Sequence, residues 1–295
     1  MTTQLVDEAT PAPTRAAQST SRSGRARTSR TLRYLLLIIF LIVVLIPAYV
    51  LFVTSFKSAG DATPTRAWQL PTEWYTDGWA RAWDTLSPAL GRTFALVIPA
   101  SIVSSMLGAM NGFVLARWRF PYADLVFTLI LFGMFIPYQA VMIPLVELMQ
   151  NLGVPSGIAS LFVLHTVFGL PICTLIFRNY YASVPEDMIE AARVDGAGML
   201  RTFALIILPL SAPGFVVTLI WQFTSAWNDF LFAIFFSNAQ NGPVTISLNF
   251  LASGQLQDYS ASMAGALIAS FPTLIVYIIL GRWFVGGLMA GSVKS

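Results

Sequence analysis

Between Glu186 and Gly196 the chain reads Glu186-Asp187-Met188-Ile189-Glu190-Ala191-Ala192-Arg193-Val194-Asp195-Gly196, and it runs on to Ile206-Ile207-Leu208-Pro209. The whole chain of 295 residues has only 17 Lys and Arg and 14 Asp and Glu, yet seven of these lie from Arg178 to Arg201. What flanks this charged island decides the fold. Thirty uncharged residues separate Glu147 from Arg178, and 27 separate Arg201 from Asp229. Further uncharged intervals lie between Arg33 and Lys57, Arg92 and Arg117, Asp124 and Glu147, and Asp258 and Arg282, with lengths of 23, 24, 22 and 23 residues. A helix needs roughly 20 apolar residues to cross about 30 Å of hydrocarbon, and all six intervals are long enough. Backbone in lipid must satisfy its own hydrogen bonds, so helices are the expected form. The expected fold is an all-α integral membrane protein of six transmembrane helices, at about 34–56, 93–116, 125–146, 157–177, 206–236 and 261–283.

Composition agrees. Hydrophobic residues make up 56% of the chain and charged residues 11%, against about 25% charged in ordinary soluble domains. That excludes a water-soluble core. The single cysteine, Cys173, falls in an apolar run and reads as a small buried residue; no disulfide can form within the chain. The net charge of +3 does not indicate nucleic acid, because the basic residues are distributed by topology.

Residues 1–33 hold six Arg and no Lys among Pro, Ser, Thr and Ala. They read as a disordered basic tail. A signal peptide is the competing reading, but the tail and the apolar run are too long and no convincing small-residue cleavage site follows. With six spans and the tail in the cytoplasm, 13 Lys and Arg fall inside and four outside. That bias supports an N-in, C-in orientation. Outside, residues 57–91 carry Trp68, Trp74, Tyr75, Trp79 and Trp83, expected as short amphipathic pieces at the membrane surface or as a simple aromatic anchor. Residues 237–260, with Asn238, Gln240, Asn241, Gln255, Gln257 and Asp258, read as a polar outer loop.

Ser183-Val184-Pro185-Glu186 has the spacing of a capping box, in which Ser183 would start a helix and Glu186 would reach back to it. Glu186 and Asp187 suit the positive end of the helix dipole. Gly196 can stop the helix in the left-handed conformation. Ala191, Ala192 and Gly196 have minimal side chains that would admit another protein closely. Glu190 sits beside them, with Arg193 at i+3 as a partner. A solvated connecting helix is the plainer reading.

The spacing Glu190-Ala191-Ala192, three residues, Gly196, nine residues, Ile206-x-Leu208-Pro209 resembles the signature loop of binding-protein-dependent ABC importer permeases. The wider chain, over about 34–295, resembles the smaller six-span carbohydrate permease of the maltose-transporter type. The stretches that carry this are Pro137-Tyr138-Gln139, Ala226-Trp227-Asn228-Asp229-Phe230 and Gly286–Lys294. Arg92 departs from the Asn expected before the second span. The resemblance implies a type I ABC importer permease in the cell membrane, non-catalytic, without cofactor or metal. It implies a second homologous permease, a dimer of ATPase subunits, an extracytoplasmic sugar-binding protein and the lipid bilayer as partners. Residues 184–200 would be the coupling helix, with Met188, Glu190, Ala191, Ala192, Asp195, Gly196 and Pro209 at the ATPase contact. The C-terminal tail would also approach the ATPase pair.

The chain has no engine of its own. A P-loop needs Gly-Lys-Ser/Thr, and the only lysines, Lys57 and Lys294, follow Phe56 and Val293. His165, the sole histidine, reads as a neutral packing residue or as a proton relay or substrate contact. Thr218, Gln222, Ser225 and Asp229 fall at i, i+4, i+7 and i+11, one face of a helix; with Tyr138 and Gln139 they are candidate pathway residues, or else helix-to-helix glue. Ser270, Thr273 and Tyr277 form a similar set. Counting 1.5 Å per residue from Pro209 places Asp229 near the outer interface. The resemblance further implies that most sugar contacts come from the companion permease. An ion-driven secondary transporter is a second reading, which the lack of a clear repeat or acid pair disfavours. A membrane enzyme or scaffold is a third, disfavoured by the lack of a catalytic cluster.

Overall fold

The computed structural model describes residues 21–118, 120–253 and 258–290, with backbone alone at 21–29 and 282–290. The helices are α1 (Ser21–Ser55), α2 (Asp77–Arg117), α3 (Ala123–Phe132), α4 (Met142–Asn151), α5 (Ile158–Ala182), α6 (Glu186–Val194), α7 (Met199–Thr202), α8 (Leu208–Leu210), α9 (Ala212–Trp227), α10 (Leu231–Phe236), α11 (Val244–Ser253) and α12 (Tyr259–Ala290). Among the described residues there is no strand. The chain divides into two units, at Val50. The first holds most of α1, whose apolar stretch has a mean hydropathy of 3.2. Helix α1 extends back to Ser21, inside the segment read as a tail; residues 1–20 of that tail lie outside the described residues, as do residues 291–295 of the C-terminal stretch.

The second unit is organised on α2 and α5. Small residues of α2 let the two backbones touch. A Cβ added at Gly108 would lie 2.4 Å from the Cβ of Cys173, and one at Gly112 would lie 2.7 Å from the Cβ of Phe177 and 2.8 Å from the Arg178 nitrogen. This is small-xxx-small packing, in which van der Waals contact replaces the missing hydrophobic drive between helices in lipid. Two apolar clusters sit along this pair. One joins Leu86, Leu96, Val97, Leu161, Leu164, Trp227, Phe232 and Phe236. The other joins Ala109, Phe113, Phe177, Tyr181, Ile189, Phe203 and Ile207.

Among the described residues, four helices are long and apolar enough to cross a membrane, giving up to six spans if each of two bent pairs is one span. The bends fall beside Pro137 and Pro213, residues able to break or loosen the third and fifth expected spans. Residues 123–135 and 138–151 meet at 86°, and 199–210 and 212–227 at 78°. Both breaks have a proline as cause. Ile136, before Pro137, is extended at φ −72°, ψ 120°, as a residue preceding proline prefers. Pro213 stands in the first turn of α9, where its missing N–H costs nothing. A π-helical turn at Phe203–Ile207 precedes the second break.

Two segments expected outside the membrane also fold differently from expectation. Half of the supposed surface pieces at 57–91 belong to α2, which begins at Asp77 and runs 41 residues. Charge makes this stretch look like a loop, but the fold supplies partners. Arg81 Nε meets Asp258 Oδ2 at 2.6 Å, and Arg92 Nε donates to the Gly242 carbonyl at 2.8 Å. The polar loop at 237–260 contains α11, whose Val244 N–H is accepted by the Thr93 hydroxyl of α2 at 2.8 Å. A cap lent by a distant helix leaves no local signal. Gln255 and Gln257 lie outside the described residues.

Candidate functional site

The charged island folds as a stiff elbow. Pro185 (φ −56°, ψ 134°) leads into α6, with Glu186 and Asp187 in the first turn. The capping box does not form. Ser183 is helical (φ −88°, ψ −10°) because it ends α5, and its hydroxyl donates to the Tyr180 carbonyl at 2.6 Å. The far end closes as expected. Gly196 has φ +78°, its N–H donates to the Arg193 carbonyl at 3.0 Å, and the Ala197 N–H donates to the Ala192 carbonyl at 2.9 Å. This pair of bonds is the Schellman closure, which glycine accepts without strain.

Helix α6 has two faces. Ile189 and Ala192, three apart, are buried, Ile189 within the second apolar cluster. Met188, Glu190, Ala191, Val194, Asp195 and Gly196 are exposed, as is Pro209 beyond. Ala192 therefore packs inward and offers no contact to another protein. Arg193 does not pair with Glu190; its guanidinium lies 5.0 Å over the Trp118 ring. Sequence reasoning missed Arg117, which it counted only as a topological charge. Its guanidinium donates to the carbonyls of Tyr181 at 2.8 Å, Ala182 at 3.1 Å and Val184. These are acceptors at and just beyond the end of α5, where intrahelical donors run out; the Tyr181 carbonyl also accepts from the Val184 N–H at 3.2 Å. The end of α2 thus grips both sides of the elbow, through Arg117 and Trp118. Val194, 87% exposed, was also missed.

A cavity of about 670 Å³ opens where α5, α9, α10 and the turn at Tyr138 meet. Tyr138, Gln222, Ser225 and Asp229 line it, together with His165, Trp221 and Asn228. Gln139 and Thr218 are not among its lining residues. Thr218 is fully buried and its hydroxyl donates to the Gly214 carbonyl at 3.1 Å. Ser270 and Thr273 likewise return their hydroxyls to their own helix. The stripe on α9 ends at Ser225, because the helix stops at Trp227. Asp229 instead starts α10: Oδ1 accepts from the Phe232 N–H at 3.3 Å and Oδ2 from the Ala233 N–H at 3.1 Å. Measuring its depth at 1.5 Å per residue from Pro209 fails, since the path bends by 78° in between. His165 is 5% exposed, with Nε2 3.6 Å from Asp229 Oδ2 and no hydrogen-bond partner.

The comparisons with known proteins agree with this architecture. Residues 104–288 match the family described as binding-protein-dependent transport system inner membrane component. A probable ABC transporter permease of Pyrococcus horikoshii is 42% identical over 168 residues, 57% of this chain and 61% of that protein. The osmoprotective compounds uptake permease of Synechocystis is 33% identical over 263 residues, 85% of this chain and 87% of that one. The glucose import system permease of Saccharolobus solfataricus is 30% identical over 268 residues, 88% and 93% of the two chains. In fold, the chain resembles a crystal structure of a bacterial ABC transporter involved in import of the acidic polysaccharide alginate, with a TM-score of 0.76, 21% identity, and coverage of 93% of this chain and all of that one.

The chain belongs to the binding-protein-dependent transport system inner membrane components, the permease class of ABC importers. It is a multi-pass membrane protein and a non-catalytic subunit; ATP hydrolysis belongs to a separate one.

Proposed function

We propose that this permease forms half of the translocation pathway of a sugar importer and that residues 184–200 dock it on an ATPase subunit. One observation carries the docking reading: α6 is anchored by Ile189 while it displays Met188, Ala191 and Val194 to solvent. Exposed apolar surface costs roughly 25 cal/mol per Å², and a partner surface removes that cost. The Gly196 closure and the Arg117 grip make the elbow rigid, so a push on α6 reaches the ends of α5 and α2 together. Closure of an ATPase pair would tilt two such elbows, one from each permease, and switch the pathway between sides. Such a cycle requires that ATP and the loaded binding protein each favour one state. In this reading each bent pair is one span, both termini are cytoplasmic, and the binding protein sits on the opposite face. Sugar as cargo is supported by the glucose import permease above and by a xylose/arabinose import permease of Haloferax volcanii, 35% identical over 231 residues.

The test is uptake by cells carrying Glu190→Lys or Gly196→Trp, both at exposed positions. Both should abolish uptake while membrane insertion and complex with the second permease persist. Normal uptake by both variants would refute the docking role.

A further inference from the structure

The cavity bears on whether this chain touches the cargo. Its wall combines two kinds of surface. Trp221 is 50% exposed, and Tyr138, Phe168 and the His165 ring gather round Phe232 with centroids 5.2, 5.2 and 5.6 Å from it. The same wall carries the polar Ser225, Asn228 and Asp229. A pyranose has the same division, with C–H faces and a hydroxyl rim. The volume suits it, since pockets for small ligands run about 300–1,000 Å³.

The polar pair at the wall is incomplete. The His165 Nε2 is buried without a partner, 3.6 Å from Asp229 Oδ2. That is too long for a hydrogen bond, and an unpaired buried polar atom costs about 1–3 kcal/mol. Both groups are held from behind. Asp229 is fixed by the Phe232 and Ala233 N–H groups, and the His165 backbone by Gln222, whose Nε2 donates to its carbonyl at 2.7 Å. Gln222 in turn occupies the space left by Gly169, where a Cβ would lie 2.4 Å from its Oε1. Asp229 is the only Asp, Glu, Lys or Arg among the lining residues. A carboxylate or sulfate brought here would face a like charge with no cation to offset it.

We propose that this cavity is a subsite for an uncharged sugar. One hydroxyl donates to the Asp229 carboxylate, which the buried His165 ring backs at 3.6 Å, while a ring face lies on Trp221. The proposal rests on the importer reading above and adds a cargo class to it: neutral saccharides pass, and uronic acids are rejected.

The experiment uses the complete importer in liposomes, with two readouts: ATP hydrolysis stimulated by the loaded binding protein, and uptake of labelled probes. The probes are glucose, xylose and maltose against glucuronate and galacturonate. Wild type should take up one or more of the neutral probes and neither uronate. Asp229→Asn, His165→Ala and Trp221→Ala should each lower maximal uptake of the accepted sugar about tenfold or more, as loss of a charge-assisted hydrogen bond or a stacking face does. Stimulated ATP hydrolysis should persist in all three, so that turnover becomes uncoupled from transport. Trp221→Phe, which retains a ring at an exposed position, should recover much of the uptake. Wild-type preference for a uronate, or undiminished uptake in all three variants, overturns the subsite. Absence of stimulated hydrolysis in the wild type sinks the importer reading and this one with it.

Discussion

Near one end of α5, Tyr181 and Ala182 give their carbonyls to Arg117; toward the other end, His165 leaves a ring nitrogen without a partner. The elbow and the cavity are thus opposite arrangements on one helix. At the elbow the backbone is closed by its own bonds and by Arg117, and the exposed groups are side chains. At the cavity His165 is buried, it and Asp229 are fixed from behind, and one ring nitrogen is short of a bond. A unit that transmits force needs every internal bond made, so that it moves as one body. A unit that passes cargo, as proposed for the cavity, needs an acceptor such as the Asp229 carboxylate for a hydroxyl to meet and release.

Substitutions of glycine separate the two regions most sharply. Gly112→Ala, under the elbow, would place its Cβ against the Phe177 Cβ and the Arg178 backbone nitrogen. Neither can retreat without parting α2 from α5, so a loss of about 3 kcal/mol or a failure to fold is expected, read as loss of monodisperse protein from detergent extracts. Gly169→Ala, beside the cavity, meets mainly the ends of the Gln222 and Ser104 side chains, which can shift. Folded yield should largely survive while uptake falls. Equal loss of yield in both variants would dissolve the distinction.

Arg117→Ala comes next in size. It removes the side-chain donor from the Ala182 and Val184 carbonyls and leaves that of Tyr181 only the Val184 N–H. We expect several-fold faster limited proteolysis between residues 183 and 200 and a several-fold drop in coupled uptake, with the preference among sugars unchanged. A shift in sugar preference would show that the elbow and the cavity are not separate devices. Arg117→Lys, with one charged centre in place of a fork, should recover only part of the effect.

The smallest effect concerns Asp258, beside the first residue of α12. Burial alone would raise its pKa, but the Ala261 N–H, the Arg81 guanidinium and the Ser260 hydroxyl outweigh it and hold the carboxyl below the usual carboxylate range. Its contribution to stability is therefore present above the ordinary pKa of about 3.9 and is lost as pH falls through the lowered one. Asp258→Asn should lower thermal stability slightly at pH 7 and flatten its fall below about pH 4. An unchanged acid limb of the melting curve would refute the role of this pair.

Much of the elbow was legible because its signals are local. Gly196 stops α6 through a backbone preference of glycine itself, and the charges from Glu186 to Asp195 mark a surface that cannot enter lipid. The apolar intervals gave the membrane class for the same reason, since the cost of burying a charge depends on the residue alone. Ser183 misled because two helices compete for it: it serves the end of α5 and so cannot start α6. Ala192 misled because a small side chain reads the same whether it admits a partner or fits its own core.

From its residues alone the chain settled that it spans a membrane, that it holds no nucleotide-binding loop, and that its charged segment ends at a glycine. These follow from transfer costs and dihedral preferences, which each residue carries with it. Only the tertiary structure decided that Arg117 grips the elbow, that Thr93 caps α11, and that His165 lies beside Asp229 in the wall of a cavity. Each of these is a meeting of groups far apart in sequence, brought together by the close contact of α2 with α5 and by the bends after Ile136 and Leu210.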